Sequence, residues 1–104
     1  MTEPPEFLDG ARVLEVAFVD DRVTHTGRTN HWRDGQLLPA AHALVIAAYD
    51  DTADEFYLFY CDEDWNIRND TYHTTLHEAR LQAEYEYSGI TAVWVRRSES
   101  PDSH

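Results

Sequence analysis

The chain has 104 residues, 42% of them hydrophobic and 12% aromatic, a composition that suits one compact domain with its own core and argues against wholesale disorder. Twenty Asp and Glu against eight basic residues give a formal net charge of −12, and all eight basic residues are arginine. A charge of that sign repels phosphate backbones and anionic lipid head groups at long range, which disfavours nucleic acid and membranes as direct partners.

No apolar run reaches the roughly 18 to 20 residues needed to span a bilayer. The start, Met1 to Glu6, is acidic and proline-bearing where a leader would be basic and then apolar, so the expectation is a soluble cytoplasmic protein. The single cysteine, Cys61, fits a reducing compartment. The acidity has two readings: solvation of a salt-adapted protein, consistent with the missing lysine, or a face made for a basic partner.

Thr2 to Glu6 and Ser98 to His104 lack apolar periodicity, so residues 1–7 and 98–104 are expected as flexible tails around a single domain over 8–97. From Arg12 to Val19 apolar residues alternate, predicting a strand with Leu14, Val16 and Phe18 on its buried face. Asp20-Asp21 reads as a turn. Residues 22–36 are polar until Trp32 and Asp34-Gly35, which leaves an irregular strand or a long loop. His42 to Tyr49 and Phe56 to Cys61 are nearly continuous apolar runs, the pattern of central strands covered on both faces, and the acidic linker Asp50 to Asp54 joins them as a hairpin. Asp62-Glu63-Asp64 reads as a tight turn into a short strand, Trp65 to Asn69.

Thr75 and Glu78 have the spacing of a capping box, in which the threonine oxygen takes the Glu78 N–H and the carboxylate answers the Thr75 N–H. A helix is therefore predicted from Leu76 to Tyr87, with Leu76, Ala79, Ala83 and Tyr87 as its buried stripe and Ser88-Gly89 as its stop. Ile90 to Val95 reads as a last extended segment anchored by Trp94. The fold class is α+β: an antiparallel sheet of four or five strands, mostly a meander, with one helix from the C-terminal half packed on one face.

Asp62, Asp64 and Asn66 stand where a calcium loop begins, but Ile67 and His73 occupy the positions that need Gly and a bidentate Glu. His73 and His77 are four apart, a zinc-ligand separation, which Asp70 or His42 could complete; a Thr75 cap would put His73 outside the helix and part the two rings. His25 and His31 add no diagnostic spacing. Cys61 ends an apolar strand and reads as a small buried hydrophobe. No cofactor motif and no nucleophile motif is present, which places an enzyme behind a binding protein. Tyr57, Tyr60, Trp65, Tyr72, Tyr85 and Tyr87 are interleaved with Asp62, Asp64, Asp70, Glu84 and Glu86. Most such rings belong in a core; if Trp65, Tyr72 and Tyr85 lie outside, they make aromatic anchors in an acidic rim.

The stretch from Tyr57 to Trp65, continuing through Asp70-Thr-Tyr-His73 to Ala79 and Gln82 to Tyr87, resembles a pattern in small uncharacterised bacterial proteins, some of them similar to immunity proteins of toxin systems. The resemblance implies a non-enzymatic α+β protein that neutralises a basic partner, and it transfers no functional residues. The expectation is an acidic protein-binding module, monomeric or a small homo-oligomer, without cofactor, contacting its partner through Asp62, Asp64, Trp65, Asp70, Tyr72 and Tyr85. A small-ligand or metal-binding protein using His73 and His77, or an acidic salt-adapted domain of another role, are the alternatives.

Overall fold

The two near-continuous apolar runs form the centre of the structure. The computed structural model describes residues 3–27, 32–37, 40–49 and 54–96. The expected tail 98–104, residues 50–53 of the hairpin linker, and residues 28–31 of the polar segment, His31 among them, lie outside those described residues. In chain order the elements are β1 (Phe7–Leu8), β2 (Ala11–Phe18), β3 (Thr24–His25), β4 (Trp32–Arg33), β5 (Gln36–Leu37), β6 (Ala43–Ala48), β7 (Phe56–Cys61), β8 (Ile67–His73), α1 (Leu76–Glu86), β9 (Tyr87–Ser88), a 3-10 turn (Ile90–Val93) and β10 (Val95–Arg96). The main sheet is antiparallel and curled, in the order β1-β2-β6-β7-β8, with β10 also on β2 and α1 against one face. This is the expected α+β architecture.

β6 and β7 are covered on both sides, as their unbroken apolar runs require. On the first face Leu44, Ile46, Leu58 and Tyr60 pack with Ala79 and Ala83 of α1 and with Ile90 and Val93. On the second, Ala43, Val45, Ala47, Phe59 and Cys61 pack with Leu8, Ala11, Val13, Val16 and Trp65. The small alanines of α1 let the helix lie close to the sheet.

In β2 the expected buried set of Leu14, Val16 and Phe18 needs correction. The pairing with β6 slips between Val13 and Glu15, and a one-residue bulge reverses the alternation of faces on either side of it. Val16 therefore shares the second face with Val13 and Ala11, while Leu14 is only half-buried. The bulge also brings the buried Glu15 to Arg80 of α1, whose Nε donates at 3.2 Å and whose Nη2 makes a second, closer contact.

The strand expected at Trp65–Asn69 runs instead over Ile67–His73. Trp65 has φ 67°, a left-handed conformation that a strand residue cannot adopt. It closes a turn in which Trp65 N donates to Asp62 O at 3.1 Å and Asp62 N donates to Asn66 O at 3.0 Å. A bulky residue in this conformation is strained by about 1–3 kcal/mol. The ring offsets that by packing edge-on against Phe18, 5.8 Å between centroids.

α1 begins at Leu76 behind the Thr75 cap, whose Oγ1 accepts from Glu78 N at 3.0 Å. The reciprocal half of the box differs from expectation: the Glu78 carboxylate accepts from Thr74, its Oγ1 at 2.8 Å and its N at 3.2 Å. These bonds hold the Glu78 carboxyl below its ordinary range. Tyr87 caps the helix end and opens β9, which pairs with β3. The polar segment 22–36 thus supplies β3, and further on the β4–β5 hairpin, whose Asp34 and Gly35 both have positive φ as a two-residue turn demands. The expected extended segment from Ile90 is a 3-10 turn followed by the two-residue β10, with Trp94 packed against the first core cluster. Glu84 holds that turn, accepting from Gly89 N at 2.8 Å and Thr91 N at 3.0 Å.

Candidate functional site

The acidic residues singled out in the sequence divide sharply in space. Asp62 is turned into its own loop, accepting from Asp64 N and Asn66 N at 2.9 Å each and from Asn66 Nδ2 at 3.1 Å, with Arg68 3.3 Å away. Partial burial pushes its carboxyl up, yet the bonds from Asn66 and Asp64 and the Arg68 charge together hold it below the usual range. Glu84 is committed to the 3-10 turn, and Glu86 is buried with 1% exposure, its carboxylate accepting from Tyr60 Oη and from Gln82 Nε2. Asp64 and Asp70 alone of these five face solvent.

The aromatic residues divide too. Trp65 is 9% exposed and belongs to the second core cluster, while Tyr72 and Tyr85 lie outside at 52% and 49%. Asp64 and Trp65 sit at the sheet end where β6 begins and β7 finishes. A cavity of about 310 Å³ opens there, lined by His42, Tyr60, Asp62, Asp64, Arg68 and Tyr87. Tyr87 Oη accepts the Ala41 N–H at 2.8 Å on its wall. Tyr85 lies elsewhere, on α1, in a shallow groove with His73, Glu78, Leu81 and Gln82.

Asp70 lies midway along β8, just past the cavity-lining Arg68 and Asn69, and Tyr72 lies further toward its far end; strand register gives them partners the sequence did not reveal. Tyr72 pairs with Tyr57 and Asp70 with Phe59, so all four share the second face. Tyr57 touches Tyr72 edge-on at 5.6 Å and Tyr49 edge-on at 5.5 Å, and stacks on Phe59 at 6.1 Å. Three tyrosines thus form a row across the ends of β6, β7 and β8. Carboxylates surround it: Asp9 at the Tyr49 hydroxyl, Asp54 and Glu55 near Tyr72, and Asp70. Desolvation raises the Tyr72 phenol first, followed by the charges of Glu55 and Asp54; desolvation and then Asp9 raise Tyr49. Such a field favours any cation brought to these rings.

Among the described residues His42 stands apart from His73 and His77, which both lie near Glu78. His42 lines the cavity, whereas His73 lies on β8 with its Nε2 2.7 Å from Thr71 Oγ1 and lines the helix groove; His77 is on α1, beyond the Thr75 cap. Among the described residues no group of three or more His, Cys, Asp or Glu side chains is placed to hold a metal. Cys61 is wholly buried, and burial, then Asp62, pushes its thiol up to about 12. Its thiolate is the reactive form. Iodoacetamide at pH 8 is therefore expected to leave Cys61 unmodified in the folded protein and to label it in urea, as read by mass spectrometry; native labelling at the rate of a free thiol would contradict this. Compared with known protein families, with curated proteins and with solved structures, the chain matches none of them.

Proposed function

We propose that this protein is a non-catalytic binding module for a basic protein partner, and that Tyr49, Tyr57, Tyr72 and Asp70 form its contact surface. The observation that carries the reading is the row of tyrosines inside a carboxylate rim, with Tyr72 exposed and Tyr49 and Tyr57 half-buried beside it. Tyrosine rings give contact area at low entropic cost and attract Arg or Lys through their faces. The surrounding carboxylates speed encounter and set the sign of the partner. Relative to the sequence expectation the surface keeps Asp70 and Tyr72 and gains Tyr49 and Tyr57. In its immunity-like form this role would have a basic toxin as the partner.

The test is titration with an arginine-rich peptide at low and at high salt. Tyr72→Ala and Asp70→Asn are each expected to weaken binding about two- to fivefold, the scale of one exposed cation–π or charge contact. Asp64→Asn removes the same charge outside the tyrosine row, at the cavity, and is expected to change little. Binding that ignores salt, or that falls equally for Asp64→Asn and Asp70→Asn, would sink the assignment. A stronger effect of Asp64→Asn would favour a second reading, a small polar ligand in the cavity that Asp64 and His42 line.

A further inference from the structure

The two long edges of the main sheet are treated differently. Along β2, the outer edge is covered by β1 over Ala11 and Arg12 and by β10 over Glu15 and Val16. Along β8, Asp70 to His73 are paired with β7 on one side, and among the described strands nothing pairs with the other. The sequence from Ile67 to His73 contains no proline; its charges are Arg68 and Asp70, and the irregularity in the β7–β8 register lies at the Arg68 end, which leaves 70–73 regular. It places Asp70 and Tyr72 two residues apart on the face that carries the tyrosine row.

We propose that the partner's contact segment is an extended basic strand that adds to the outer edge of β8. This rests on the binding role proposed above and specifies its mode. An added strand lies about 4.8 Å from β8 and sets alternate side chains beside Asp70 and Tyr72, at cross-strand separations of about 4.5–5.5 Å. Tyr57 and Phe59 already occupy the β7 side of those two residues, so the partner's side chains complete the row from the open side. The chemistry required is a cation opposite Asp70 and a planar cation, arginine above all, over Tyr72: a basic-x-basic pattern in an extended chain. Asp54 and Glu55 add to the same field. For a second copy of this chain, antiparallel self-pairing centred on Asp70 would set two carboxylates opposite each other, whereas pairing centred on Asn69 would set Asp70 opposite Arg68, and the experiment below separates a second copy from a basic partner.

The experiment uses the full chain and a seven-residue peptide alternating Arg with Thr and Val. Two further peptides carry backbone N-methyl groups, one on the arginines and the other on the residues between them. Successive N–H groups of a strand point to opposite edges, so strand addition predicts that one N-methyl pattern weakens binding about tenfold or more while the other is tolerated. It also predicts slowed amide exchange over residues 70–73 on adding the unmodified peptide. If both N-methyl peptides bind as the parent does, while Tyr72→Ala and Asp70→Asn still weaken it, strand addition is wrong and the proposed binding role stands. No salt-sensitive binding of the parent peptide overturns both. Slowed exchange over 70–73 that depends on protein concentration without peptide would assign the edge to a second copy and overturn the proposal.

Discussion

Replacing Gly89 by alanine is expected to destabilise the fold by about 3 kcal/mol, the largest effect among the four glycines. Gly89 has φ +95°, and a Cβ there would stand 2.5 Å from the carbonyl oxygen of Arg22. Neither side can give way easily. Arg22 precedes the buried Val23 and the β3 strand, and β3 is paired with β9 immediately before Gly89. For a domain of this size the loss corresponds to a fall in Tm of about 12–24 °C. Gly35→Ala is the internal control: its φ is +79°, but its Cβ would meet nothing within 4 Å. It carries the conformational cost alone, about 1 kcal/mol. Equal melting temperatures for the two variants would show that the β3–β9 region shifts to make room, and would remove the contact argument.

Glu86→Leu is expected to cost about 2–3 kcal/mol. The side chain is buried under the helix end, and its carboxylate is the acceptor for the Tyr60 hydroxyl and the Gln82 amide. Tyr60 is itself buried, and burial together with Glu86 raises its phenol above the ordinary range, so it stays protonated and must donate. Leucine leaves that buried donor without its carboxylate. Adding Tyr60→Phe removes the hydroxyl that has lost this acceptor, so the double variant is expected to be more stable than Glu86→Leu alone. Urea unfolding of the four proteins in this cycle measures the coupling. Additive losses would mean that the pair contributes no more than its volume.

The sequence is legible where the physics is local. The Thr75 cap is a contact across three residues, and the helix starts where it says. The apolar runs of β6 and β7 specify their own burial on both faces. The failures each involve a choice that neighbours in space make. Trp65 has the intrinsic preference of a strand residue but takes a left-handed turn position because Phe18, far away in sequence, receives its ring. Leu14 fits the alternation of β2, yet the bulge opposite β6 displaces it. The Asp34-Gly35 pair is a hairpin signal in its own right, but the strands it joins are two residues each, too short to show a period. The tyrosine row was legible only in part. Tyr72 and Asp70 could be named as anchors, whereas Tyr49 and Tyr57 join them through the registers of three strands, which no spacing along the chain reveals.

The covered edge of β2 has a consequence for how the chain is threaded. β10 and β1 run in the same direction along that edge, β10 ending beside Glu15 and β1 starting beside Arg12, with Glu6 O taking the Val13 N–H between them. They are two halves of one strand with a nick in it. The gap spans two or three residues of β2, about 7–10 Å. Joining Arg96 to Glu6 through a short peptide would close the nick into a continuous outer strand, so the order in which this sheet is written into the chain is one of several that the same contacts permit.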